Sequence, residues 1–146
     1  MYERMLIAIN TSLDSPDNSL RRAIQFAKMS GGTVHLLHVA RGHVVASDIN
    51  AGQGLGVLPG EDDVDVHERE IVQKAVDLMA GEGIPVHGEL INATQHDIAE
   101  VIVQRARDLQ VDIIVLGYQH YRNSFVADQV VRQQPHCSIL LARPPD

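Results

Sequence analysis

Short apolar runs alternate along this chain with stretches in which apolar residues recur at helical spacing. Met5-Leu6-Ile7-Ala8-Ile9 is a continuous apolar run of strand length, as expected of a strand buried on both faces. Ser15-Pro16 follows as a helix cap and first helical residue, since serine accepts from orphan N–H groups and proline fits the first turn. Leu20, Ala23, Ile24 and Ala27 then stand at i, i+3, i+4 and i+7, which predicts one buried helix face. Gly31-Gly32 ends that helix, and Thr33-Val34-His35-Leu36-Leu37-His38-Val39 is the second predicted strand.

The pattern then lapses. Residues 41–62 show no sustained period and carry Gly52, Gly54, Gly56 and Gly60, so a long flexible loop is expected there. Ile71, Ala75, Leu78 and Met79 mark a second helix that stops near Gly81–Gly83, and Val86–Ile91 is a third strand. Ile98, Val101, Ile102, Ala106 and Leu109 keep helical period over three turns. Asp112–Gly117 is a fourth buried strand, Asn123 or Ser124 caps a fourth helix carrying Val126, Val130 and Val131, and Ser138–Ala142 is the last strand.

The predicted order is βαβαβαβαβ. Such alternation implies a single α/β domain with a doubly wound parallel sheet and helices on both faces. Ligands of these sheets sit beyond the carboxyl ends of the strands, where the winding reverses. That directs attention to Asn10–Ser15 and Gly117–Ser124.

Composition removes several classes. The 146 residues, 45% of them apolar, suit one domain with a sizeable core. Twelve basic against nineteen acidic side chains leave a net charge of −7, which argues against nucleic acid as partner. There is no Trp to stack on bases. No apolar run approaches a membrane span and no signal peptide is evident at Met1-Tyr2-Glu3-Arg4, so a cytoplasmic location is expected. The lone Cys137 permits no internal disulfide and, preceding an apolar strand, is expected to be an inert buried thiol. His35 and His38 are three apart on a strand and point to opposite faces, so no metal site is expected from them. Gly52-Gln53-Gly54-Leu55-Gly56 lacks the spacing and strand context of a dinucleotide fingerprint. Receiver-domain chemistry lacks its acidic and lysine residues, because the relevant strand ends carry Asn10, Asn92 and Arg143.

As a whole the chain resembles the universal stress protein family. The likeness rests on Met5–Ser12, Leu20–Ala27, Val34–Val39, Asp97–Glu100 through Val111–Gly117, and Val126–Arg132 followed by Cys137–Arg143. The resemblance implies a five-stranded parallel sheet of order 3-2-1-4-5, a dimer, and in many members bound ATP or AMP, with Mg²⁺ where ATP is held. The family site uses an acidic residue ending strand one, backbone after strand two, and a G-x2-G-x9-G-(S/T) loop after strand four. On this chain the implied nucleotide-binding set is Ile9, Asn10, Thr11, Ser12, Val39, Ala40, Gly117, His120, Arg122, Ser124 and Phe125.

The chain departs from that pattern. Asn10 stands where the acid belongs, His120 replaces the second glycine, and the loop runs several residues short into Ser124-Phe125. Fewer loop N–H groups are then available to wrap phosphates, while Arg122 and His120 offer charge by side chain. The expected function is a cytoplasmic binding or regulatory module, more a protein-contact device than an enzyme, without the usual ATP mode. A nucleotide-binding sensor of ATP or AMP is the alternative. A further alternative is an adenylating enzyme resembling the ATP pyrophosphatases, whose Ser-Gly-Gly-x-Asp-Ser loop is matched only by Leu13-Asp14-Ser15. In the implied sheet, strands three and five are edges. Pro85, His87, Gly88 and Glu89 guard the third strand, whereas Ile139, Leu140, Leu141 and Ala142 are unguarded, which predicts a homodimer through the last strand.

Overall fold

The computed structural model describes the backbone of residues 2–9, 20–41, 46–53, 63–93, 98–117 and 124–142 and, apart from 20, 41, 63–65, 124 and 125, their side chains. The elements are β1 (Arg4–Ile9), α1 (Leu20–Ser30), β2 (Thr33–Arg41), β3 (Ser47–Ile49), α2 (Asp63–Gly81), β4 (Val86–Ala93), α3 (Ile98–Asp108), β5 (Ile113–Gly117), α4 (Ser124–Arg132) and β6 (Ser138–Ala142). They form an α/β fold around one sheet of strand order β3-β4-β2-β1-β5-β6.

The expectation of a five-stranded, wholly parallel sheet is corrected here. β1, β2, β4, β5 and β6 pair in parallel, and β3 adds a sixth strand antiparallel to β4, with Ser47 opposite Leu90 and Ile49 opposite Gly88. The stretch expected as a loop at 41–62 therefore holds a strand, and Ile49 is 1% exposed. The Gln73 side chain donates to the Asn50 carbonyl and the Gly52 N–H to the Asp77 carboxylate. β4 is thus an inner strand, and Gly88 and Glu89, expected to guard an edge, are paired with β3.

Successive residues of each strand face opposite ways. Met5, Ile7, Leu36 and Val115 pack with Ala23, Ile24 and Ala27 of α1 and Val72, Val76 and Met79 of α2. Leu6, Leu37, Val39, Ile114 and Leu116 pack with Ala99, Ile102, Val103 and Ala106 of α3 and Ala127 and Val130 of α4. The buried stripe of α2 is Ile71, Val72, Ala75, Val76 and Met79; Leu78, expected in it, is exposed. Gly31 ends α1 at φ 73° with its N–H on the Ala27 carbonyl, a left-handed cap that glycine adopts without strain.

One contact fixes the depth of α2. A Cβ on Gly88 would stand 2.6 Å from Val76 Cγ2 and 2.9 Å from Val72 Cγ1. The missing side chain is what lets the helix lie directly on β4. At the start of β5, Asp112 Oδ2 accepts the backbone N–H groups of Glu3 and Arg4 at 2.7 and 2.9 Å. These two bonds hold its carboxyl below the usual carboxylate range and pin the start of β1 beside β5.

Candidate functional site

From β1 the chain winds outward to β2 and β4 on one side and to β5 and β6 on the other. The winding reverses between β1 and β5, and in doubly wound sheets the ligand crevice lies at such a point, beyond the carboxyl ends of the strands. Register brings the expected residues level: Ala8 pairs with Leu37 and Leu116, Ile9 with His38, and Gly117 with Ala142. Ile9 and Gly117 are half-buried, while Val39 and Ala40 are buried. The structure therefore brings together Ile9, Val39, Ala40 and Gly117 along one rim.

The remaining expected residues attach to that rim by sequence. Asn10, Thr11 and Ser12 follow β1, and His120 and Arg122 follow β5; all lie outside the described residues. Ser124 and Phe125 open α4, with their side chains outside the described set. A helix that follows a parallel strand begins at that strand's carboxyl end, so α4 presents its N-terminal N–H groups on the β5 side of the crevice. The first turn of α4 carries no acidic residue. In a chain of net charge −7, residues 113–127 contain neither Asp nor Glu and do contain Arg122. A helix N-terminus in such a setting favours an anion.

Sequence reasoning passed over the residue beneath the rim. His38 is 4% exposed. Its Nδ1 lies 2.9 Å from the Ile9 carbonyl oxygen, and its Nε2 contacts the Glu68 carboxylate of α2. The bond from His38 holds the Glu68 carboxyl below the usual carboxylate range, against the opposing effect of burial. The available signal was a histidine inside an apolar strand run, which when buried must find partners. Its acid lies thirty residues on, in another element.

His35 points to the opposite face of β2. Its Nε2 is 2.9 Å from Glu89 Oε1, which also accepts Arg105 Nε at 3.0 Å. Burial pushes the His35 imidazole below its ordinary value. The Cys137 thiol is pushed up, chiefly by burial, which disfavours the reactive thiolate. Among the described residues no group of three or more His, Cys, Asp or Glu is placed to hold a metal ion. No described helix is long and apolar enough to cross a membrane. Two open clefts, of about 670 and 400 Å³, lie at the amino ends of the strands. Asp112, His136 and Cys137 line the first, and Arg4, His35 and His87 the second. Neither is lined by Ile9, Val39, Ala40 or Gly117.

Comparison with known proteins places this geometry. The model of the universal stress protein family matches residues 1–143. The chain belongs to the universal stress protein family. A search of curated proteins found no match. Among solved structures, a universal stress protein from Archaeoglobus fulgidus in complex with dAMP is similar at TM-score 0.66 and 21% identity, over 97% of this chain and 98% of that one. A family member from Burkholderia pseudomallei gives TM-score 0.68 and 21% identity, over 99% and 97%. A universal stress protein in complex with cAMP gives 0.65 and 15% identity, over 99% and 98%.

Proposed function

We propose that this chain is a cytoplasmic binding and regulatory module that takes an adenine nucleoside monophosphate at the carboxyl ends of β1, β2 and β5, and that it does not hold ATP in the family's usual way. The observation that carries this reading is the join between Gly117 and α4. Only residues 118–123 separate the strand from the helix, fewer than the family loop implies. A short join supplies few backbone N–H groups, enough for one phosphate at the start of α4 and too few to wrap three. Arg122 and the Ser124 hydroxyl add a charged and a neutral donor. Asn10, amide rather than acid, pairs with adenine or ribose without repelling the phosphate. Two structural neighbours are complexes with dAMP and cAMP, and each of those ligands carries a single phosphate.

The module is also proposed to act as a homodimer through β6, with a protein partner reading its state. β6 ends the sheet, and Leu141 on it and Val131 on α4 are exposed apolar side chains. An apolar edge of this kind is stabilised by pairing.

Thermal unfolding with AMP, cAMP and ATP, each with and without Mg²⁺, tests the binding reading. One-site linkage gives roughly 2.7 kcal/mol at 100 times Kd, which is several degrees for a domain of this size. A shift with AMP or cAMP that exceeds the shift with ATP supports it. A Mg²⁺-dependent ATP shift larger than either restores the usual family mode, and no shift at all leaves a nucleotide-independent dimer.

A further inference from the structure

The cleft of about 400 Å³ lies where β1, β2 and β4 begin, at the opposite end of the sheet from the rim. Its volume is that of a small-molecule site. In a chain of net charge −7, none of its described lining residues is acidic, and three of them bear basic nitrogen: Arg4 of β1, His35 of β2 and His87 of β4. Register and alternation set these three on one face of the sheet. Leu6 pairs with His35, His35 pairs with His87, and Arg4 precedes Leu6 by two residues. Pro85, Val86 and Leu109 supply apolar surface beside them.

Each of the three side chains has something different left to offer. Arg4 is exposed, and its guanidinium makes no hydrogen bond or ion pair among the described residues. The nearby Asp112 carboxylate instead takes the backbone N–H groups of Glu3 and Arg4. Arginine keeps its charge at every working pH, so Arg4 is a fixed cation. His35 Nε2 faces Glu89 Oε1 at 2.9 Å, an oxygen that also accepts Arg105 Nε. The ring proton therefore sits on Nε2. Burial pushes this imidazole below its ordinary value, which leaves a lone pair on Nδ1, and Nδ1 has no partner among the described residues. The His87 ring is held through both nitrogens, with Nδ1 2.8 Å from Asn50 Oδ1 and Nε2 3.3 Å from Asp48 Oδ1. It is left with its aromatic surface, 5.5 Å from the His35 ring between centroids.

A cation, a lone acceptor and an aromatic wall define a complementary ligand. Arg4 and His35 stand on neighbouring strands two residues apart in register, about 8 Å between Cα atoms by strand spacing and rise. A molecule that meets both carries an anion at one end, a donor at the other and a flat apolar body between. We propose that this cleft binds a small hydroxyaryl carboxylate, with the carboxylate on Arg4, the hydroxyl donating to His35 Nδ1 and the ring against His87 and the apolar wall. The guanidinium takes the carboxylate by paired charge-assisted bonds, and the ring covers apolar surface. The proposal is independent of the nucleotide reading, since none of the residues it uses belongs to the rim.

The test titrates 4-hydroxybenzoate into the whole ¹⁵N-labelled chain at pH 7, where its carboxyl is ionised and its phenol is not. Saturable one-site shifts are expected at the amides of Arg4, His35, His87 and Leu109. 4-Hydroxybenzyl alcohol, which lacks the charge, should bind at least about tenfold more weakly, and benzoate, which lacks the donor, at least about threefold. Arg4→Gln should cost about tenfold or more, while Arg107→Gln, which removes the same charge from the neighbouring cleft, leaves the affinity unchanged. The two analogues test the wild type itself, so the proposal stands or falls even if Arg4→Gln does not fold. Absence of saturable shifts, or shifts confined to other residues, overturns it. So does benzoate or the alcohol binding as tightly as 4-hydroxybenzoate, or an equal loss from Arg4→Gln and Arg107→Gln.

Discussion

Gly88 on β4 lies so close beneath Val76 on α2 that a Cβ there would sit 2.6 Å from the valine Cγ2. The Ile49 carbonyl of β3 lies 3.0 Å from the same point. One absent side chain therefore sets both the height of α2 over the sheet and the approach of β3. Gly88→Ala is expected to destabilise the fold by about 1–3 kcal/mol, the usual cost of overpacking a close contact. Urea unfolding measures it. Adding Val76→Ala to Gly88→Ala should recover part of the loss, because it removes the nearest clashing methyl. A double variant no more stable than the sum of two independent defects would place the clash elsewhere.

Asp112 predicts a particular acid response. Its folded carboxyl is held low by the Glu3 and Arg4 N–H groups. A depressed carboxyl contributes stability that is present above its unfolded value and lost as pH falls through the folded one. Melting temperature followed from pH 7 downward should therefore drop more steeply in the wild type than in Asp112→Asn. Parallel acid limbs would mean that the two bonds carry no net stabilisation.

The parallel framework was legible because its strands are short apolar runs bounded by turn residues. Met5–Ile9, Leu36–Val39 and Ile113–Leu116 announce themselves by composition, and helical spacing at Ala23, Ile24 and Ala27 does the same for α1. The spacing of His35 and His38 also showed correctly that they face opposite ways. β3 was not legible. Ser47-Asp48-Ile49 holds one apolar residue and no period, and what secures it is distant in sequence: α2 above Ile49, and Gln73 reaching Asn50. Gly88 looked like a strand guard for the same reason, since a close helix approach leaves no local trace. Of the site, the winding rules pointed to the ends of β1 and β5, and Val39 and Ala40 entered through the family resemblance, whereas the His38–Glu68 contact needed the packing of α2 to bring the acid to the ring.

Arg122 is expected to matter for the ligand more than for the fold. A charge-assisted bond to phosphate contributes about 1.5–3 kcal/mol, so Arg122→Ala should weaken AMP binding by about tenfold or more. Its melting temperature without ligand is expected to stay within about a degree of the wild type. Unchanged AMP affinity, read by calorimetry, would remove Arg122 from the site.

Leu141 tests the edge. A charge placed on an edge strand discourages pairing, so Leu141→Lys should shift the proposed dimer toward monomer in sedimentation velocity while leaving the circular dichroism spectrum unchanged. A wild type that sediments as a monomer, or a variant that remains fully dimeric, would refute the assembly through β6.

The central claim is that the rim beyond Ile9, Val39 and Gly117 receives one phosphate and not three. Isothermal titration calorimetry of AMP and of Mg²⁺-ATP into the wild-type chain tests it most directly. The account predicts one-site binding of AMP that is tighter than that of Mg²⁺-ATP. Tighter binding of Mg²⁺-ATP, or no heat from either nucleotide, would contradict it.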